Sequence, residues 1–142
     1  MKYIVALVVC FVLCSPVQAR HYRHHHRHHR AHYSSSEGVI GGRPSGCPHR
    51  WCGCGVSLKV FGRIIPELNL AANWLYKFPS ALAAAGMVAA RPGHVFYIEA
   101  VNGDGTVLAY DPNSGHGALH VHNRSLRGFH VVNPYGGRYA SR

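Results

Sequence analysis

Acidic side chains and long apolar runs are what this sequence has least of. Five Asp and Glu stand against fifteen Lys and Arg, a formal net charge of +10. So basic a chain suits an anionic partner, such as a cell-wall polymer or a membrane surface. Nucleic acid is the usual competitor, but no nucleic-acid-binding motif with interleaved aromatics is present. After the first residues no apolar stretch approaches the ~20 residues that a membrane-spanning helix needs. Residues 81–90 are apolar but short, and Gly86 interrupts them. There is no internal repeat. The length suits one compact domain with a core of its own and is too short for two.

The first nineteen residues have the three parts of a secretory signal. Lys2 supplies the positive start, residues 4–13 (IVALVVCFVL) the apolar centre, and Val17-Gln18-Ala19 a small-residue cleavage end. The expectation is a cleaved leader at 1–19, a secreted or periplasmic location, and no stable membrane insertion after cleavage. Export also argues against a nucleic-acid partner. Of five cysteines, Cys10 and Cys14 would leave with the leader, and Cys47, Cys52 and Cys54 would remain. An odd number in an oxidising compartment leaves at least one thiol without an intramolecular partner.

Residues 20–33 (RHYRHHHRHHRAHY) interleave seven histidines with four arginines. Such a segment cannot bury enough apolar surface to order itself. Its imidazoles, among them His24, His25, His26, His28 and His29, are weak, nonspecific metal binders with nothing to fix their geometry. Residues 34–46 read as a Ser/Gly/Pro linker, so that 20–46 is tail and linker, 47–133 the domain, and 134–142 a frayed C-terminal tail.

Within the domain, helices come first and strands after. Trp51-Cys52-Gly53-Cys54-Gly55 leads into a short helix over 56–61 that Gly62 stops. Pro66-Glu67-Leu68 opens a second, with Leu68, Leu70, Ala71, Trp74, Leu75 and Phe78 on one broad face. An Ala-rich third helix is expected over 81–90. The period then changes to two. Residues 94–101 (HVFYIEAV) read as a strand, Asn102-Gly103-Asp104-Gly105 as a tight turn, and 106–111 (TVLAYD) as the return strand. Later strands are expected over 118–122 and 128–133. This is an α+β pattern.

A cysteine nucleophile needs a thiolate-favouring position, a histidine in reach and a polar group holding that histidine. Cys52 stands where a helix is about to start, beside unpaired N–H groups and the positive end of the helix dipole. Gly53 and Gly55 add no bulk and leave backbone amides open to a substrate oxyanion. His94 begins the first hairpin strand. If Asn102 faces Gly105, then His94 faces Asn113 and Phe96 faces Asp111, and all four share one sheet face. A slip of one residue would break that arrangement. His116, His120, His122 and His130 are rival histidines; His120 and His122 alternate on a strand and could pair on a metal, but no third ligand stands at a convincing spacing. Asp111 and Asn113 also fit a plain turn, Asp-Pro-Asn-Ser-Gly.

The joint pattern resembles the CHAP and NlpC-type cysteine amidohydrolase/peptidase superfamily, papain-like enzymes that cut peptidoglycan. Arg50-Trp51-Cys52-Gly53 is similar to the family's lead-in to its nucleophile helix. The run Gly93-His94-Val95-Phe96-Tyr97-Ile98-Glu99-Ala100-Val101-Asn102-Gly103-Asp104-Gly105-Thr106 is similar to its Gly-His-Val hairpin. The likeness covers roughly 47–132. It implies a papain-like fold, Cys52 as nucleophile, His94 as base and acid, and Asp111 or Asn113 as the orienting residue. It also implies peptidoglycan, or another anionic wall polymer, as partner and no cofactor. Asp111 stands where the family usually has Glu. Cys54 either pairs with Cys47 or competes as the reactive thiol. Two other readings remain open on the sequence: a wall-binding module of the same fold without turnover, and an exported metal-sequestering protein whose His-rich tail is the working part.

Overall fold

The computed structural model describes residues 38–137 and 139. They form an α+β fold with two α-helices and one six-stranded antiparallel sheet. The strands are β1 (Gly38–Gly41), β2 (Val88–Arg91), β3 (His94–Val101), β4 (Thr106–Ser114), β5 (Ala118–Ser125) and β6 (His130–Val132). Their order across the sheet is β1-β5-β4-β3-β2-β6. The helices are α1 (Cys52–Phe61) and α2 (Ala71–Lys77), with a 3-10 turn at Pro66–Leu68 between them. The proposed leader and the His/Arg-rich tail lie outside the described residues.

Alternation along the strands sorts the core into two sides. Cys52, Val56, Leu68 and Trp74 from the helical part pack with Val88, Ala90, Val95 and Val132 on one face of the sheet. Ala89, Phe96, Ile98, Val107 and Ala109 form a second cluster on the other face, covered in part by Met87, Leu126, Phe129 and Val131. Helix α1 ends as its sequence predicts: Gly62 takes the left-handed conformation (φ 67°), and its N–H bonds the Leu58 carbonyl. The second helix is divided. Pro66–Leu68 makes one tight turn, and α2 restarts at Ala71, with the Trp74 indole N–H donating to the Leu68 carbonyl at 2.9 Å.

Three expectations are corrected. The helix expected over 81–90 does not form. Gly86 takes φ +91°, and Val88, Ala89 and Ala90 are wholly buried in β2 between β3 and β6. Alanine's helix propensity is worth only tenths of a kcal/mol per residue. It yields to a site where two ladders and both sheet faces need a small, fully buried strand. The linker is also shorter than expected, because β1 lies within it and pairs with β5, Val39 opposite His120. At the other end, residues read as a frayed tail pack on the helical part. Pro134–Gly136 forms a 3-10 turn, Tyr139 contacts Phe61 and Phe78, and its hydroxyl donates to Glu67.

The β3–β4 hairpin forms, with a different turn. The Asn102 N–H bonds the Thr106 carbonyl, so three residues rather than two close the loop, and Val101 faces Val107. Left alone, this register would be one residue off along the whole hairpin. A β-bulge at Glu99 absorbs the extra residue: Ala100 faces Leu108, but Ile98 faces Ala109 and Tyr97 faces Tyr110. Beyond the bulge the register is the expected one. The bulged residue is anchored by α1, whose Lys59 pairs with Glu99 at 2.7 Å and lies over the rings of Tyr97 and Tyr110.

Candidate active site

Cys52 is the first residue of α1. Trp51 stands at the N-cap without a side-chain capping bond, and no acidic residue occupies the first turn. The first intrahelical bond is donated by the Gly55 N–H to the Trp51 carbonyl, leaving the earlier N–H groups without intrahelical acceptors. The positive end of the helix is therefore directed at the thiol. A disulfide joins Cys47 to Cys54, and Cys52 is the free thiol among the described residues. It is 4 % exposed. Cys54 is thereby removed as the competing nucleophile.

The two glycines beside Cys52 serve close packing. A Cβ on Gly53 would stand 2.0 Å from the Leu68 carbonyl oxygen, and one on Gly55 would stand 2.5 Å from the Pro112 Cβ. Gly53 thus admits the turn that follows α1, and Gly55 admits the residue next to Asp111. Helix α1 begins where β3 starts and β4 leaves its regular ladder, so thiol, histidine and carboxylate meet at one end of the sheet.

His94 opens β3 opposite Arg91 of β2. Its Nε2 lies 2.6 Å from Asp111 Oδ1, and the buried Cys52 side chain is near enough to act on the charge of its ring. Asp111 is wholly buried. Its second oxygen, Oδ2, is held by His122 Nε2 at 2.8 Å and by the Arg124 guanidinium. Arg124 lies over the rings of Phe96 (4.9 Å) and Phe129 (5.2 Å), which wall the cluster on the second face of the sheet.

The charges follow from these contacts. Burial alone would lift the Asp111 carboxyl, but hydrogen bonds from His94 and His122, with the positive charges of His94 and Arg124, outweigh it and hold its pKa at about 2. Burial alone would lower His94. The hydrogen bond to Asp111, the nearby Cys52 side chain and the field of both outweigh it and raise the imidazole to about 9. An ionised Asp111 can only accept, so His94 Nε2 carries a proton toward it. Nδ1 is then the ring nitrogen available for proton exchange with a thiol.

Of the four residues singled out from the sequence, three come together: Cys52, His94 and Asp111. Asn113 does not stand behind His94. After Asp111, which faces His120, the β4–β5 register shifts, and Asn113 turns into the left-handed region at φ 58°. It lines a separate pocket with Arg43, His49, Trp51, His116 and Gly117. The proline before it is the cause. Pro112 is packed against α1 and has no N–H for the ladder, so regular pairing ends there.

Two members of the cluster were not assigned from the sequence. In the sequence His122 stands only as a rival histidine, and Arg124 carries no motif. The usable signal is alternation on β5, which puts His120, His122 and Arg124 on one face; the register shift between Asp111 and Ser114 is what makes that the face of Asp111. Among the described residues no group of three or more His, Cys, Asp or Glu is arranged to hold a metal ion. His122, half of the suspected metal pair, spends its Nε2 on Asp111. No helix among the described residues is long and apolar enough to cross a membrane. No protein-family model matches the chain, and no curated protein matches it.

Proposed function

We propose that this protein is an exported, papain-like cysteine hydrolase of the CHAP and NlpC type, cutting peptide or amide bonds of peptidoglycan. One observation carries the reading: the free thiol Cys52, at an uncapped helix start, lies near a His94 whose Nε2 is held by the buried carboxylate of Asp111. A thiol, an imidazole and a carboxylate gathered in this way are the groups that thiol acyl transfer requires.

In the reaction, Cys52 sulfur attacks the scissile carbonyl carbon after its proton passes to His94 Nδ1. The oxyanion is received by the unpaired N–H groups at the start of α1. His94 returns the proton to the leaving nitrogen, the C–N bond breaks, and a thioester remains. Water, deprotonated by the same imidazole, hydrolyses the thioester and restores the thiol. Asp111 keeps Nε2 protonated and stabilises the imidazolium without taking its proton.

The net charge of +10 favours an anionic wall, and the leader-like start favours a secreted or periplasmic location. A Cys47–Cys54 disulfide suits an oxidising compartment and takes up the thiol nearest to Cys52 in sequence. The test is digestion of purified peptidoglycan by the protein and by Cys52→Ala and His94→Ala. Release of new amino groups by the native protein alone is expected. Equal release by Cys52→Ala overturns the assigned nucleophile, and wall binding without release by any of the three identifies a binding module instead.

A further inference from the structure

The pocket that holds Asn113 has no part in the chemistry above, yet two of the three chain segments that carry Cys52, His94 and Asp111 border it. Trp51 precedes Cys52, and Asn113 follows Asp111 by two residues. The cavity has a volume of about 410 Å³ and is lined by Arg43, His49, Trp51, Asn113, His116 and Gly117. A guanidinium, two imidazoles, a carboxamide and an indole face it, and its lining contains no carboxylate. Arg43, His49 and His116 are exposed there.

Its backbone is also unusual. Asn113 (φ 58°) and His116 (φ 55°) are the non-glycine residues with left-handed backbone among those described, and both line this pocket. Such conformations cost about 1–3 kcal/mol each and persist where surrounding structure enforces them, most often at functional sites. Here the enforcing contacts are the Trp51 indole N–H, which donates to the Gly117 carbonyl at 3.2 Å, and the Ala118 N–H bonded to the Gly115 carbonyl at 3.3 Å. The loop is thereby tied to the residue before the nucleophile.

We propose that this pocket is the subsite that receives a carboxylate of the peptide substrate, beside the bond that Cys52 attacks. The inference rests on the hydrolase reading and adds its specificity: a peptide bond close to a free carboxylate is favoured over one close to a neutral group. A guanidinium takes a carboxylate through paired N–H donors, and imidazole and carboxamide N–H groups supply the rest. The volume lies near the lower end of small-ligand pockets, about 300–1,000 Å³, which suits a short piece of peptide and excludes a polymer segment. General attraction of a basic surface to an acidic wall would not require these residues in this loop.

The test uses the full chain carrying Cys52→Ala, so that binding is read without turnover. Soluble peptidoglycan fragments are titrated in two forms, native and with carboxylates converted to carboxamides. Native fragments are expected to bind about tenfold tighter, a difference worth about 1.4 kcal/mol. Adding Arg43→Gln should reduce that ratio below about threefold, whereas Arg127→Gln, an exposed arginine that does not line the pocket, should leave it unchanged. Equal losses for the two arginines, an unchanged ratio in Arg43→Gln, or no binding of native fragments overturns the subsite. Carboxylate-dependent binding in a protein that never digests peptidoglycan would remove the hydrolase reading alone.

Discussion

Replacing Asp111 by Asn separates the charge of this carboxylate from its shape, and both ends of its bond to His94 report the loss. Asp111 is wholly buried and held at about 2 against an ordinary 3.8. At about 1.4 kcal/mol per pH unit, that shift corresponds to about 2 kcal/mol of folding stability. The sign follows from its direction. A depressed carboxyl contributes stability that is present above pH 3.8 and lost as pH falls through 2. His94, raised to about 9, shows the same contact from its other end: the contribution is full below pH 6.5 and lost as pH rises through 9. The two are one interaction and count once. Melting temperatures of native protein and Asp111→Asn should therefore differ most between about pH 4 and 6.5, by on the order of 10 °C for a domain of this size. The gap should narrow toward pH 2 and again above pH 9, where the remaining difference belongs to Arg124. In the imidazole NMR titration, His94 should fall from about 9 by ~1–3 units in Asp111→Asn, because burial still lowers it while the carboxylate no longer raises it. The alkaline limb of the pH–activity curve should move down with it. A folded Asp111→Asn whose His94 titrates within half a unit of the native value would refute the reasoning.

Other substitutions probe the frame around the thiol. Gly55→Ala puts a methyl group 2.5 Å from Pro112 and should cost ~1–3 kcal/mol by overpacking, with activity falling more than stability because α1 is pushed away from the strand bearing Asp111; unaltered melting and turnover would contradict that packing. Gly53→Ala meets a backbone carbonyl that cannot rotate aside, so calorimetry should show a larger loss than for Gly55→Ala. Under denaturing conditions Cys52→Ala should show one free thiol fewer than the native protein and Cys47→Ser one more, and Cys47→Ser should lose roughly 2–3 kcal/mol through the opened loop; equal thiol counts would mean a different pairing. Arg124→Gln should lower the melting temperature and leave His94 Nε2 bonded to Asp111, so its imidazole should stay well above 6.5. A collapse of His94 to 6.5 would show that Arg124, rather than Asp111 itself, maintains the pair.

Much of the site can be read along the chain because its parts are local. A cysteine between Trp51 and Gly53, followed by a helix that Gly62 ends, is a short-range pattern. So is a histidine opening a period-two run that reaches Asn-Gly-Asp-Gly. Turn chemistry and alternation decide these features within a few residues. The hairpin register came out right by a different route from the expected one. The turn is one residue longer than the dipeptide signal suggests, and the bulge at Glu99 corrects it, with Lys59 of a distant helix holding the bulged side chain. No pattern inside 94–111 contains Lys59, so nothing local could have placed that bulge.

The remaining choices belong to contacts between segments far apart in sequence. Residues 88–90 are strand because β3 and β6 flank them and both faces of the sheet bury them, which outweighs alanine's small preference for helix. Asp111 rather than Asn113 holds His94 because Pro112 docks on Gly55 and ends the ladder, turning Asn113 out to another pocket. Cys54 pairs with Cys47, and Cys52 is left free, because two residues along a helix lie on nearly opposite sides of it, so Cys52 packs in the main core while Cys54 packs with Cys47 and Trp51. By itself the sequence determined the candidate thiol, the candidate base and the strand that carries the carboxylate, since each is a matter of neighbours a few residues away. Only the tertiary structure decided which carboxylate, which thiol and which partners, since those depend on free energies of packing that no local segment holds.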